Sequence, residues 1–84
     1  MSDLSKLPNI GKTLADKLIQ VGISTPNDLK SIGSEDSFIR IKTVDNSACI
    51  NMLYALEGAI QGIRWHDIDS MRKAELKNFF DHIK

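Results

Sequence analysis

The sequence has little of what disulfide-bonded, metal-binding or catalytic domains are built from. Its 84 residues include one cysteine and two histidines, and 11 basic residues balance 11 acidic ones. One cysteine cannot form a disulfide within the chain, and Cys-x-x-Cys, HExxH and helically spaced histidine pairs are all missing. No pairing of a nucleophile with a base is evident either. We therefore expect no enzymatic activity, cofactor, metal or small-molecule substrate.

Long apolar runs are missing as well. Those present fall far short of the ~20 residues that span a bilayer, and residues 1–5 have neither the basic nor the apolar region of a secretory signal. These absences predict a cytoplasmic protein with no membrane partner. The net charge of zero argues against strong non-specific binding to DNA, because lysine and arginine supply most of that affinity.

A turn at residues 7–12 organises the first half of the chain. Pro8 disfavours the α conformation in the residue before it, so a short helix over residues 2–6, with Ser2 as its N-cap, ends here. Gly11 permits the tight backbone that leads into a second helix. The pattern is typical of a helix-hairpin-helix unit.

The second helix is predicted over residues 12–21. Apolar residues recur there every three to four positions and share one face. Gly22 ends this helix, and Ile23 folds back onto Leu18 as in a Schellman motif. Thr25 and Asp28 then resemble a capping box, which predicts a third helix over Pro26–Ile32.

Gly33 separates the third helix from a fourth, for which Ser34 is the predicted N-cap. The patterns Leu7-x-x-Ile10-Gly11 and Leu29-x-x-Ile32-Gly33 indicate two related hairpins in tandem. The second leads into Glu35 and Asp36, which would repel a phosphate.

The longest helix is predicted over residues 48–61. Glu57 is its one charged residue, so the helix is expected at the centre of a bundle, with Glu57 paired to Arg64 or Arg40 and Cys49 in the core. Gly58 belongs to a stripe of small residues and predicts a neighbouring helix that crosses very close.

A turn at residues 66–68 precedes the last helix, which is predicted to run to about Ile83 with Asp67 or Asp69 as its cap. A capped turn beside a packed tryptophan explains residues 65–67 better than a metal or acid–base cluster does. The whole chain is thus expected to form one all-α domain, residues 1–84. It would be a compact bundle of about five helices with a helix-hairpin-helix-like (SAM-like) N-terminal half.

The first turn offers the only chemistry for which the sequence supplies a mechanism. The first amides of a helix lack partners within it, and beside Lys12 they can bind a phosphate through hydrogen bonds and the helix dipole. In the alternative, the turn is only a scaffold and the domain binds another protein or a second copy of itself. The candidate nucleic-acid-binding residues are Asn9, Ile10, Gly11, Lys12, Thr13 and Lys17.

Residues 7–11, 21–29, 33 and, most specifically, 53–65 together carry a family likeness. With them the chain resembles the C-terminal domain family of the competence regulator TfoX, also called Sxy. The resemblance implies an all-helical fold with a helix-hairpin-helix-like first half. In the competence regulators this domain follows an N-terminal domain, whereas this sequence begins three residues before Leu4, so we expect a stand-alone domain. The usual turn of DNA-binding hairpins has glycine where this chain has Asn9.

Overall fold

The chain folds into helices joined by short turns. The computed structural model describes residues 3–83, and no strand occurs among them, which confirms the predicted all-α class. The predicted cap Ser2 lies outside the described residues. Residues 3–83 contain five α-helices, α1 (Lys12–Gln20), α2 (Pro26–Ile32), α3 (Ser34–Val44), α4 (Ile50–Gln61) and α5 (Ser70–Ile83), and two 3₁₀-helices, Asp3–Lys6 and Trp65–Asp67.

The predicted end of α1 is confirmed. Gly22 has a φ of 87° and donates to Ile19 at 3.0 Å, while the amide of Ile23 reaches back to the carbonyl oxygen of Leu18 at 2.9 Å. These two bonds form the Schellman motif and satisfy carbonyl groups that the end of a helix would otherwise leave unpaired. The turn also buries Ile23 completely.

The start of α2 is confirmed as well, and the start of α3 is not as predicted. Thr25 Oγ1 accepts from the amide of Asp28 at 3.1 Å, as its capping role requires. In α3, by contrast, the N-cap is Gly33, with a φ of 90°, and Ser34 is the first helical residue. The predicted cap Ser34 is wrong because its hydroxyl points inward, where it donates to Glu57 at 2.7 Å.

Helix α4 is central but is not the longest. It packs against α2, α3, α5 and the second 3₁₀-helix, in agreement with its nearly all-round apolar surface. Its 12 residues are fewer than the 14 of α5, because it begins at Ile50 rather than at Ala48. Cys49 consequently sits at the N-cap and is exposed, so its predicted place in the core is wrong.

The core forms where all five α-helices and the first 3₁₀-helix meet. Helix α5 contributes Leu76, which is fully buried, and Phe80, whose ring centroid lies 5.8 Å from that of Phe38. Full burial of a leucine or phenylalanine stabilises a fold by roughly 1.5–3 kcal/mol, so these side chains dominate the stability of the bundle. The large apolar residues with no exposed surface are Leu4, Leu18, Ile23, Leu29, Phe38, Ile41, Leu53, Leu56 and Leu76.

Candidate nucleic-acid interface

The first turn is shaped by Asn9. The amides of Leu7 and Ile10 bond the carbonyl oxygens of Leu4 and Leu7 at 3.0 and 3.4 Å, and Asn9 then takes a φ of 69°. Gly11 has a φ of −93°, so the left-handed residue of this turn is Asn9 rather than the glycine. Asparagine tolerates this conformation better than most residues, which lets it replace the usual glycine.

The side chain of Asn9 faces the protein. Its Nδ2 donates to the carbonyl oxygen of Ile63 at 2.9 Å, and its Oδ1 accepts from the amide of Trp65 at 3.0 Å. Ala55 also lies within reach, with its carbonyl oxygen 3.5 Å from Nδ2. The amide group of Asn9 therefore fixes the turn to the end of α4 and to the chain that follows it.

Gly58 makes room for this contact. A β-carbon at position 58 would lie 2.5 Å from Asn9 Nδ2 and 2.8 Å from the carbonyl oxygen of Ile63. The predicted close neighbour of Gly58 is thus real, but it is the turn and the backbone after α4 rather than another helix. Periodicity on α4 could not show this, because the small-residue stripe is equally suited to any close contact.

The beginning of α1 has no side-chain cap. Gly11 is its N-cap, no acidic residue stands in its first turn, and the first amide that bonds back into the helix is that of Ala15, to Gly11 at 3.0 Å. The amides of the first turn therefore retain hydrogen-bonding capacity, and the helix dipole favours an anion there. Lys12 and Thr13 are both exposed beside them.

Lys17 forms an ion pair within the protein. Its Nζ donates to a carboxylate oxygen of Asp45, at the C-terminal cap of α3, and the two side chains are only 29% and 16% exposed. Hydrogen bonds from Lys17 and Ser47 lower the pKa of Asp45 to about 2. This pair ties α1 to the end of α3, one and a half turns away from the uncapped amides.

The structure thus separates the six predicted site residues into two groups. Gly11, Lys12 and Thr13 lie together and exposed at the start of α1. The side chain of Asn9 is bonded inward, Ile10 is 5% exposed, and Lys17 is paired, so these three residues position the turn rather than face solvent.

A second polar cluster, which the sequence did not predict correctly, surrounds Glu57. Its partners are Arg72 at 3.0 Å, Ser34 at 2.7 Å and Gln61, whereas Arg64 and Arg40, the predicted partners, are exposed. Burial opposes ionisation of Glu57, but these hydrogen bonds outweigh it and lower its pKa below the usual value. Glu57 in turn raises the pKa of Arg72.

Three rings stack beside the first turn. Tyr54 and Trp65 are nearly parallel, at 8°, with their centroids 6.3 Å apart, and the ring of His66 lies 3.9 Å from that of Trp65. The Nζ of Lys73 is 5.4 Å from the Trp65 centroid. Trp65–Asp67 is the 3₁₀-helix, as the predicted turn requires, and residues 3–83 hold no cluster of three or more His, Cys, Asp or Glu able to ligate a metal.

Comparison with known families places this geometry in context. Residues 1–80 match the TfoX C-terminal domain. The chain belongs to that family. The match confirms the resemblance read from the sequence, and it indicates a small helical domain of regulatory type with no enzymatic family among the findings.

Two solved structures resemble this member of the TfoX C-terminal domain family closely. A triclinic crystal form of an uncharacterized protein from Listeria monocytogenes is 54% identical, with a TM-score of 0.96 over 98% of this chain and 93% of that one. A tetragonal form of a Listeria monocytogenes protein of unknown function, also 54% identical, gives 0.94 over 96% and 99%. No curated protein matches.

Membrane spans can also be assessed from the helices. Within residues 3–83, no helix combines the length and the apolar character that crossing a bilayer requires.

Proposed function

We propose that this domain is a non-enzymatic regulatory module that contacts nucleic acid through the phosphate backbone. The phosphate would bind at the start of α1, to the amides that follow Gly11 and to the side chains of Lys12 and Thr13. Such contacts read no bases, so binding would be independent of sequence. Asn9, Ile10 and Lys17 would serve by holding the turn and α1 in place.

The observation that carries this proposal is the contrast among the helix starts. Helix α1 begins at an exposed lysine with neither a side-chain cap nor an acidic residue in its first turn. Helix α2 is capped by Thr25 and followed by Asp28, and α3 carries Glu35 and Asp36. Helix α4 is also uncapped and has no acidic residue in its first turn, but residues 50–52 include no cation. Anions are favoured at helix N-termini, so among these four helices α1 is the one that combines open amides with an exposed lysine.

The proposed contact is weak in a single copy. Lys17 is paired with Asp45, so the other lysines of residues 3–20 are Lys12 and the exposed Lys6, itself 3.6 Å from Asp3. Two neutralised phosphates would give a slope of log affinity against log salt of about −2 on a duplex. Useful affinity would then require a second binding protein or a dimer.

A salt titration with charge-reversal variants tests the proposal. Fluorescence anisotropy of a labelled duplex at low salt should show weak binding that Lys12→Glu reduces for every DNA sequence alike. Lys30→Glu on α2 makes the same charge change at another exposed lysine and should reduce binding far less. Equal losses in the two variants would show that only net charge matters, and no binding at low salt would refute the proposal.

One observation favours a second candidate, a protein-interaction or dimerisation module. Ile39 and Val44 on α3 are 40% and 48% exposed, and Ile39 lines a mainly apolar groove of about 350 Å³ together with Lys42, Thr43, Asn46 and Ile83. Exposed apolar surface of this kind often marks a protein contact. Sedimentation equilibrium of the wild type and of Ile39→Glu would test it: a dimer that the variant abolishes supports this function.

A further inference from the structure

The rings of this domain are divided between its core and its surface. The sequence has three phenylalanines, one tyrosine and one tryptophan. All three phenylalanines and Tyr54 pack on the core, whereas Trp65 and the exposed His66 do not belong to it; the Trp65 ring stacks on both Tyr54 and His66. We call these three side chains the aromatic row. Burial of apolar surface does not explain why the exposed ring of His66 stacks on Trp65.

The aromatic row is joined directly to the proposed phosphate site. The amide of Trp65 donates to Asn9 Oδ1 at 3.0 Å, and the carbonyl oxygen of Ile63 accepts from Asn9 Nδ2 at 2.9 Å. Asn9 is two residues from Gly11, so these hydrogen bonds tie the backbone of Trp65 to the turn that leads into α1.

We propose that the aromatic row stacks the bases of a single nucleic-acid strand whose phosphate is held at the start of α1. This inference rests on the proposed function and names its ligand: unpaired bases, which a duplex keeps inside its own stack. Aromatic side chains bind any base in this way, because every base has a π face. His66, the exposed end of the row, offers a ring face to a base, and Trp65, which contacts both other rings, holds it in place.

The charges around the aromatic row suit this ligand. Lys73 lies over the Trp65 ring and donates to the carbonyl oxygen of His66 at 3.3 Å, so a cation is fixed at the row itself. Asp67 and Asp69 follow at the surface and offset it. Stacking rather than counterion release would therefore carry most of the affinity, which fits a chain with zero net charge.

The single tryptophan makes a direct test practical. Trp65 fluorescence would be followed during titration with an oligothymidylate of about 12 nucleotides, with oligouridylate of equal length, and with a duplex. We expect quenching by the single strands, tighter binding of these than of the duplex, and a salt dependence shallower than that of the duplex. The thymidylate and uridylate arms distinguish DNA from RNA as the preferred strand.

Two pairs of variants locate the stacking surface, with anisotropy of a labelled oligonucleotide as the readout. Trp65→Leu should lower single-strand affinity about tenfold, and Trp65→Phe, which keeps a ring, should stay within about threefold of the wild type. His66→Ser should also weaken binding, whereas His82→Ser removes the other imidazole, which is also exposed, and should not. If Trp65→Leu fails to fold, the histidine pair decides.

The outcomes separate this inference from the function on which it rests. Single-strand preference that is lost in His66→Ser but kept in His82→Ser supports the aromatic row. Equal binding of duplex and single strand, sensitive to Lys12→Glu but not to His66→Ser, overturns the row and leaves the phosphate site standing. Absence of binding to any of the three nucleic acids overturns both.

Discussion

Two turns between helices contact consecutive residues of α4 by different chemistry. In the first turn, residues 7–13, the neutral amide of Asn9 fits over Gly58 and bonds backbone groups beyond the helix. In the second turn, residues 32–36, the hydroxyl of Ser34 bonds the carboxylate of Glu57, which also bonds Arg72. The first contact requires a residue without a side chain at position 58, and the second uses the charged side chain at position 57.

The difference extends to the charge at the start of the helix that follows each turn. Glu35 lies 3.6 Å from Arg72, so the acidic start of α3 belongs to the charged cluster around Glu57. Docking through Asn9 uses no charge, and the start of α1 keeps its amides and Lys12 facing outward. The turn that is fixed by neutral hydrogen bonds therefore leads into the helix whose first turn has no acidic residue to offset the positive end of the helix dipole.

Filling the space above Gly58 should have the largest effect on stability. In Gly58→Leu the new side chain must displace both Asn9 and the carbonyl group of Ile63, and the latter is backbone. Overpacking typically costs 1–3 kcal/mol, and we expect about 3 kcal/mol or more here, measured by urea unfolding. Ala74→Leu, at an exposed position of α5, is the control and should change little. Equal stability of the two variants would disprove the tight contact.

Breaking the charged docking point should have the next largest effect. Arg72→Met leaves Glu57 buried without its cation and should destabilise the fold by roughly 2–3 kcal/mol near neutral pH, below the range for fully buried pairs because Arg72 is 29% exposed. The loss should be measured by urea unfolding between about pH 4 and about pH 7.

In Arg72→Met, the contribution of Glu57 to the stability of the fold should vary with pH in the opposite direction from that in the wild type. In the wild type the pKa of Glu57 is lowered, so the ionised group adds stability above its usual pKa, and this stability is lost as the pH falls. Without Arg72, desolvation should raise that pKa instead. The variant should then lose stability as the pH rises through the raised value, and a loss equal at both pH values would contradict this account.

Removing the neutral docking point should have a smaller effect. Asn9→Ala loses the bonds to Ile63 and Trp65 and places alanine at a φ of 69°, so we expect a loss of about 2 kcal/mol in urea unfolding. Asn9→Gly loses the same bonds but adopts positive φ readily. Asn9→Gly should therefore be more stable than Asn9→Ala by about 1 kcal/mol. Identical stabilities of the two variants would show that the turn relaxes to an ordinary conformation.

The sequence predicted local features of this fold better than its long-range contacts. The stop at Gly22 and the Thr25 cap depend on neighbours within a few residues, so their patterns were sufficient. The partner of Glu57 is 15 residues away across a turn, and the residue above Gly58 is Asn9, on another element. Contacts of that kind depend on how the helices pack, which no local period encodes.

The candidate site shows the same limit. An open helix start at Lys12 follows from the turn residues and could be predicted. The pairing of Lys17 with Asp45 could not be predicted, since the two residues meet only when α1 packs against the end of α3. The sequence pattern that the two turns share also did not predict their different backbone conformations: Gly33 has a φ of 90°, whereas Gly11 has −93°.

The smallest expected effect concerns the second serine of α3, one turn beyond Ser34. Ser37 is fully buried, and its hydroxyl has no hydrogen-bond partner among the described residues. Alanine removes this unsatisfied group and is the better helix former, so Ser37→Ala should stabilise the fold by up to about 1 kcal/mol in urea unfolding. Ser34→Ala is the matched substitution at the bonded serine and should destabilise instead, because Glu57 loses a donor. If Ser37→Ala also destabilises the fold, the hydroxyl of Ser37 makes a hydrogen bond in solution. Both serines of α3 then stabilise the fold in the same way.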